Sequence, residues 1–192
     1  MENTFIIDNG KLTKAKIIVN GNIILPPHIT SIDPFAFSNC KKLLTIVLSP
    51  NIVEINEWAF NGCVNLKSII FSDKITIIKE GVFCDCKSLR FITLPNNIKE
   101  IHSFAFYGCY SLNSIIIPYT VRLIGNSAFY IYTNVKIKHQ SNFFITWSLK
   151  VMRNRTNWKI TSIGNCHNLL RLITDFTHDP KRTINYECFG KL

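Results

Sequence analysis

Four cysteines stand at equal intervals: Cys40, Cys63, Cys86 and Cys109 are each 23 residues apart. A thiol can ligate a metal, form a disulfide or, once deprotonated, act as a nucleophile. The even spacing argues against ligation. A structural zinc site needs four ligands converging on one point, and this ladder has no Cys-x-x-Cys pairs and no histidine in register. Tyr132 takes the fifth place, which packing tolerates and ligation does not. The ladder is therefore expected to be buried structural thiol, with disulfides requiring an oxidising compartment. Cys84, off the register, is expected to face outward as a small surface residue. Cys166, His167, His178 and Cys188 have the right types for zinc, but their spacing matches no finger. Five histidines occur without a His-Glu-x-x-His helix, and neither a Gly-x-Ser-x-Gly elbow nor a phosphate-binding glycine loop is present. No catalytic residue, metal or cofactor is expected, and the chain is not read as an enzyme.

Other columns share that interval. Phe37, Phe60, Phe83, Phe106 and Phe129 form one; Ala36, Ala59, Val82, Ala105 and Ala128 another. Ile32, Ile55, Ile78, Ile101 and Ile124, then Ile46, Ile69, Ile92 and Ile115, and Leu48, Phe71, Leu94 and Ile117 recur likewise. The unit reads Ile-x-x-Ile-x-x-x-Ala-Phe-x-x-Cys-x-x-Leu-x-x-Ile-x-Leu. One such unit cannot close a core, whereas stacked units bury the same columns against each other. The Ile-x-Leu segment alternates and predicts a short strand with both residues inward. Pro26, Pro95 and Pro118, or Ser49 and Ser72, follow it at a corner. Ala-Phe-x-x-Cys is too short for an ordinary helix and predicts a helical or 3-10 turn.

This pattern resembles the BspA-like leucine-rich repeat family. Leu89-Arg90-Phe91-Ile92-Thr93-Leu94-Pro95-Asn96-Asn97-Ile98-Lys99-Glu100-Ile101 is similar to its strand-and-return segment, and Phe104-Ala105-Phe106-Tyr107-Gly108-Cys109 to its Ala-Phe-x-x-Cys turn. The resemblance covers about residues 5–137. It implies an α/β leucine-rich repeat solenoid, a right-handed β-α superhelix rich in short strands, acting as a binding surface without catalytic residues. Some members of the family are surface adhesins.

The expected organisation has three parts. Residues 1–28 form an N-terminal cap and first strand, with Asp8-Asn9-Gly10 as a hairpin signal. Residues 29–138 hold about five repeats, and 139–192 form an irregular basic C-terminal cap with a candidate degenerate repeat around Ile160–Leu172. The chain carries 22 basic and 12 acidic residues, a net charge of +10. Residues 1–138 hold 14 basic and 9 acidic residues, and the shorter tail holds 8 and 3, so charge density is highest in the tail.

Two binding surfaces follow. Between the inward residues of each strand lie Ile24, Val47, Ile70, Thr93 and Ile116, an outward apolar stripe flanked by Lys67, Arg90 and Asn113. Such a stripe on a concave strand face suits a protein partner, although β-branched residues favour strands anyway. The tail interleaves Phe143, Phe144, Trp147 and Trp158 with Lys150, Arg153, Arg155 and Lys159. That pattern serves nucleic acid or anionic lipid as an alternative, or simply covers the last coil. No apolar run is long enough for a transmembrane segment. The N-terminus lacks a signal-peptide pattern, which makes the cytoplasm the default, while the family resemblance allows the cell surface.

Overall fold

Apolar residues that recur every 23 positions can meet only if the chain coils. In the computed structural model it does. The structure describes residues 3–17, 20–118, 120–129, 134–138, 144–152 and 155–160. Along the chain lie β1 (Thr4–Asp8), β2 (Lys11–Lys16), β3 (Gly21–Ile24), β4 (Ser31–Ile32), β5 (Leu43–Val47), β6 (Glu54–Ile55), β7 (Ser68–Ile70) and β8 (Ile77–Ile78). They are followed by β9 (Phe91–Ile92), β10 (Glu100–Ile101), β11 (Ser114–Pro118), β12 (Leu123–Ile124), β13 (Asn134–Lys138), β14 (Phe144–Met152) and β15 (Arg155–Ile160).

Each coil contributes to two parallel ladders. One runs β3-β5-β7-β9, with Ile46 opposite Ile69 and Ile69 opposite Ile92. A bridge between Thr93 and Ile116 leads on to β11-β13, and β14 and β15 then add to that sheet antiparallel. The second ladder runs β2-β4-β6 and, beyond a break, β8-β10-β12. Its strands of two residues are too short to show alternation in sequence. The N-terminal hairpin of β1 and β2 turns at Asn9 and Gly10, with φ of 46° and 77° as a two-residue primed turn requires. Pairing β2 with β4 covers the open edge of the second ladder.

The core is a stack of identical layers. Phe37, Phe60, Phe83 and Phe106 are fully buried, and successive rings down to Phe129 stack 4.9 to 5.5 Å apart with planes within 14°. Phe5 closes the first layer edge-on at 6.4 Å. At the corners, serine does what proline cannot. The Ser72 hydroxyl accepts from the Lys74 N–H at 3.2 Å and donates to the Pro50 carbonyl of the preceding coil at 3.1 Å. Ser49 makes the same pair of contacts with Asn51 and Pro27.

Among the described residues there is no helix, and the Ala-Phe-x-x-Cys segment runs as separate i→i−3 hydrogen-bonded turns rather than as a helical run. The architecture is therefore a β-solenoid of about five turns rather than a β-α superhelix. Hydrogen bonding between coils explains the difference. Ala36, Ser38 and Cys40 donate within the coil to Asp33, Phe35 and Phe37, while Phe35, Phe37 and Asn39 donate to Glu57, Ala59 and Asn61 of the next coil. Every second N–H is thus committed across the stack, and no i→i−4 ladder can develop. Positive φ at Phe35 (58°) and Asn39 (57°) also interrupts any helical run.

Candidate functional site

The strand face is built by register. Parallel pairing places Val47 between Ile24 and Ile70, and Thr93 beside Ile116. Ile24 is 76% exposed, Ile70 61% and Ile116 46%; Thr93 is exposed and Val47 half-buried. Inward neighbours Ile23, Ile46, Ile69 and Ile115 are buried, so the outward set stands above a filled core. The adjacent column adds Phe91, 77% exposed. Lys67, Arg90 and Asn113 are all exposed. Backbone bonds from Lys67 to Leu44 and from Arg90 to Lys67 set the two cations on successive coils. Register thus brings Ile24, Val47, Ile70, Thr93 and Ile116 onto one face, and the exposed Lys67, Arg90 and Asn113 each stand just before the strand of their coil.

The cysteine ladder is inside. Cys40, Cys63, Cys86 and Cys109 are free and buried. Desolvation pushes all four thiols up in pKa, with neighbouring cysteines adding to the effect at Cys63, Cys86 and Cys109. Thiolate chemistry is suppressed accordingly. Cys84, expected at the surface, is also buried and free. It lies in the turn column of Asn61, whose amide donates to the Cys84 carbonyl at 3.4 Å, and its thiol is raised by desolvation and by Asp85. Among the described residues no three histidine, cysteine or carboxylate side chains converge as a metal site would require.

The second ladder carries ion pairs instead. Lys79 Nζ donates to Glu54 Oε1 and Asn56 Oδ1, each at 2.6 Å, with Glu57 at 3.6 Å. Desolvation opposes the ammonium, but bonding and charge from Glu54 and Glu57 outweigh it and raise its pKa. One coil further, Glu100 meets His102 at 3.0 Å and Arg122 at 3.1 Å. The bond from His102 holds the Glu100 carboxyl below its ordinary pKa, against desolvation and with help from Arg122.

Sequence reasoning missed a third group. Trp58, Phe104 and Tyr107 gather on the turn side, where their columns mix aromatic, glycine and polar types. The available signal was Gly81 in one column with Phe35, Trp58 and Phe104, which marks a backbone position suited to glycine. In the tail, Phe144, Trp147 and Lys150 fall in β14 and Arg155, Trp158 and Lys159 in β15. Phe143, Arg153 and most of the candidate degenerate repeat lie outside the described residues.

Comparison with known proteins agrees with the repeat fold. The family model described as BspA type leucine rich repeat region matches residues 18–136 in 6 copies. No curated protein matches the chain at a significant level. Among solved structures, a leucine rich repeat protein of T. pallidum is similar over 63% of this chain and 58% of its own, at 28% identity and a TM-score of 0.59. A leucine-rich repeat protein of Bacteroides ovatus gives a TM-score of 0.63 at 28% identity, over 71% of this chain and 39% of its own. A leucine rich cell surface protein of Faecalibacterium prausnitzii shares the fold at 22% identity and a TM-score of 0.52, over 74% of this chain and 45% of its own. This chain therefore spans between 39% and 58% of the length of these proteins. Nothing in these comparisons supports the cytoplasmic expectation. No helix among the described residues is long and apolar enough to cross a membrane. With the repeat model covering more than half of the sequence and the same coil seen in the structure, the chain belongs to the BspA type leucine rich repeat family.

Proposed function

We propose that the protein is a non-catalytic interaction or adhesion module that binds a protein partner along its strand face. The exposed apolar stripe of Ile24, Ile70 and Ile116, lying over a filled core, carries this reading. Its inward neighbours already supply the solenoid's packing, so the outward isoleucines and Phe91 are surplus to the core. Apolar surface of that kind is what a protein partner removes from water. Lys67 and Arg90 on successive coils would add selectivity for a partner with acidic groups at matching positions. Membership of a repeat family whose solenoids serve as extended binding surfaces supports the reading.

The test compares wild type with a folded Ile70→Glu/Ile116→Glu variant in affinity capture at low and high salt. A protein retained by wild type at high salt and lost from the variant is expected, and photo-crosslinking from position 70 should then label that protein. Nucleic acid or anionic lipid captured equally by both, and released by salt, would move the function to the tail, because counterion release dominates such binding.

A further inference from the structure

The turn side of the coil carries a second cluster whose chemistry differs from that of the strand face. Phe35, Trp58, Gly81, Phe104 and Ser127 occupy one column, and all have positive φ, between 54° and 60°. Glycine is the ordinary occupant of that region, and a bulky residue there is uncommon. Three coils nevertheless hold an aromatic at it. Gly81 makes the arrangement possible. A Cβ there would collide with the Trp58 indole, so the indole lies flat across this coil. It reaches Phe104 two coils away, with centroids 6.4 Å apart and planes 26° apart. Phe104 in turn meets Tyr107 at 5.9 Å and 84°, so two rings form nearly perpendicular walls beside a third. Phe104 is 37% exposed and Tyr107 43%.

Two acidic residues lie on the turns that carry these rings. The Glu80 carbonyl accepts from the Trp58 backbone N–H at 2.9 Å, and the exposed Glu80 directly precedes Gly81, over which the indole lies. Asp85 donates its N–H to the Tyr107 carbonyl at 2.8 Å, and its carboxylate lies over Gly108. Glu57 is drawn to Lys79, but neither Glu80 nor Asp85 makes an ion pair among the described residues. Lys87 sits over Tyr110 at 5.8 Å rather than in the corner. Ring faces are electron-rich, and carboxylates deepen the negative potential around them. What complements three rings flanked by acidic residues on the same turns is a flat cation.

We propose that Trp58, Phe104 and Tyr107, together with Glu80 and Asp85, form a docking corner for an arginine side chain carried on a peptide segment of a partner protein. Arginine fits better than lysine because its planar guanidinium stacks on a ring while its N–H fork reaches a carboxylate. This surface is separate from the strand face and does not depend on it.

The test uses the full chain carrying Trp147→Phe/Trp158→Phe, in which Trp58 is the remaining tryptophan. A short Gly/Ser peptide containing two arginines is titrated against its twin with citrulline, which is near-isosteric and uncharged. A saturable change in Trp58 emission with the arginine peptide is expected, with the citrulline twin binding about tenfold more weakly. Glu80→Gln/Asp85→Asn and Tyr107→Ala should each weaken arginine binding severalfold, while Ile70→Glu/Ile116→Glu should leave it unchanged. Calorimetry on the unaltered chain reads the same comparison if the tryptophan variant does not fold. Equal binding of both peptides, or no saturation at millimolar peptide, would overturn the proposal. So would emission that follows protein concentration alone, which would assign the corner to a second copy of the chain.

Discussion

The Cys86 thiol donates to the carbonyl of Phe60, 26 residues earlier and one coil back, at 3.2 Å. That carbonyl already accepts from the Cys63 N–H at 3.1 Å, so the thiol fills its second lone pair. Cys63 does the same for Phe37, and Cys109 for Phe83, both at 3.1 Å. The cysteine column is therefore a hydrogen-bonded seam linking the turn of each coil to the turn before it. It explains why a small buried position repeats as cysteine rather than alanine or valine.

Cys86→Ala should accordingly cost about 1–2 kcal/mol, from lost sulfur burial and one weak hydrogen bond. Chemical denaturation of the variant checks it. Cys40, Cys63, Cys84, Cys86 and Cys109 should resist iodoacetamide in the native protein and label once it is unfolded, because burial raises all five thiols. Labelling of Cys40, Cys63, Cys86 or Cys109 at the rate of a free thiol would contradict the seam, and the same result at Cys84 would contradict its burial.

Phe83 lies between Phe60 and Phe106, each 5.5 Å away, with Phe71 edge-on at 5.9 Å. Phe83→Ala should cost about 3–5 kcal/mol, since the rigid layers above and below restrict collapse of the cavity. A loss under about 1 kcal/mol in equilibrium unfolding would remove the phenylalanine column from the core.

How much of this was legible from sequence depended on how uniform each column is. The Phe37, Cys40 and Ile46 columns keep one residue type through coil after coil, and the core they predict is the one observed. The outward stripe from Ile24 to Ile116 was also readable, because strand alternation fixes which residue points away. The Ala-Phe-x-x-Cys run forms hydrogen-bonded turns but no helix, because alternate N–H groups bond to the next coil, which a short run does not reveal. Cys84 was misplaced because being off-register says nothing about exposure in a run of turns. The second ladder escaped notice because pairs such as Glu54–Ile55 carry no period. Trp58 and Phe104 escaped because packing across Gly81 joins residues two coils apart.

Register also governs what can be removed. Deleting residues 41–63 joins Cys40 to Val64 and keeps every column in phase. The product should fold as a shorter solenoid with a single cooperative transition and reduced stability, because each core layer packs against the layers next to it. Circular dichroism during thermal unfolding checks this. A non-cooperative product would mean that the coils are not equivalent modules.

Glu100 gives the fold a pH dependence whose sign can be worked out. Its hydrogen bond with His102 at 3.0 Å is the main cause of its lowered pKa, with Arg122 at 3.1 Å adding and desolvation opposing. A carboxyl whose folded pKa lies below its unfolded value binds fewer protons when folded. Its contribution is therefore present above the unfolded pKa and is lost as pH falls through the folded one. Glu100→Gln cannot show this loss. Wild type should exceed the variant by about 0.2–1 kcal/mol at neutral pH, a small margin because Arg122 is exposed and solvent screens the pair. The margin should close as pH drops below the ordinary glutamate range. Urea midpoints of both proteins across that range decide the matter: a difference that stays constant with pH would show that Glu100 acts through packing rather than through its charge.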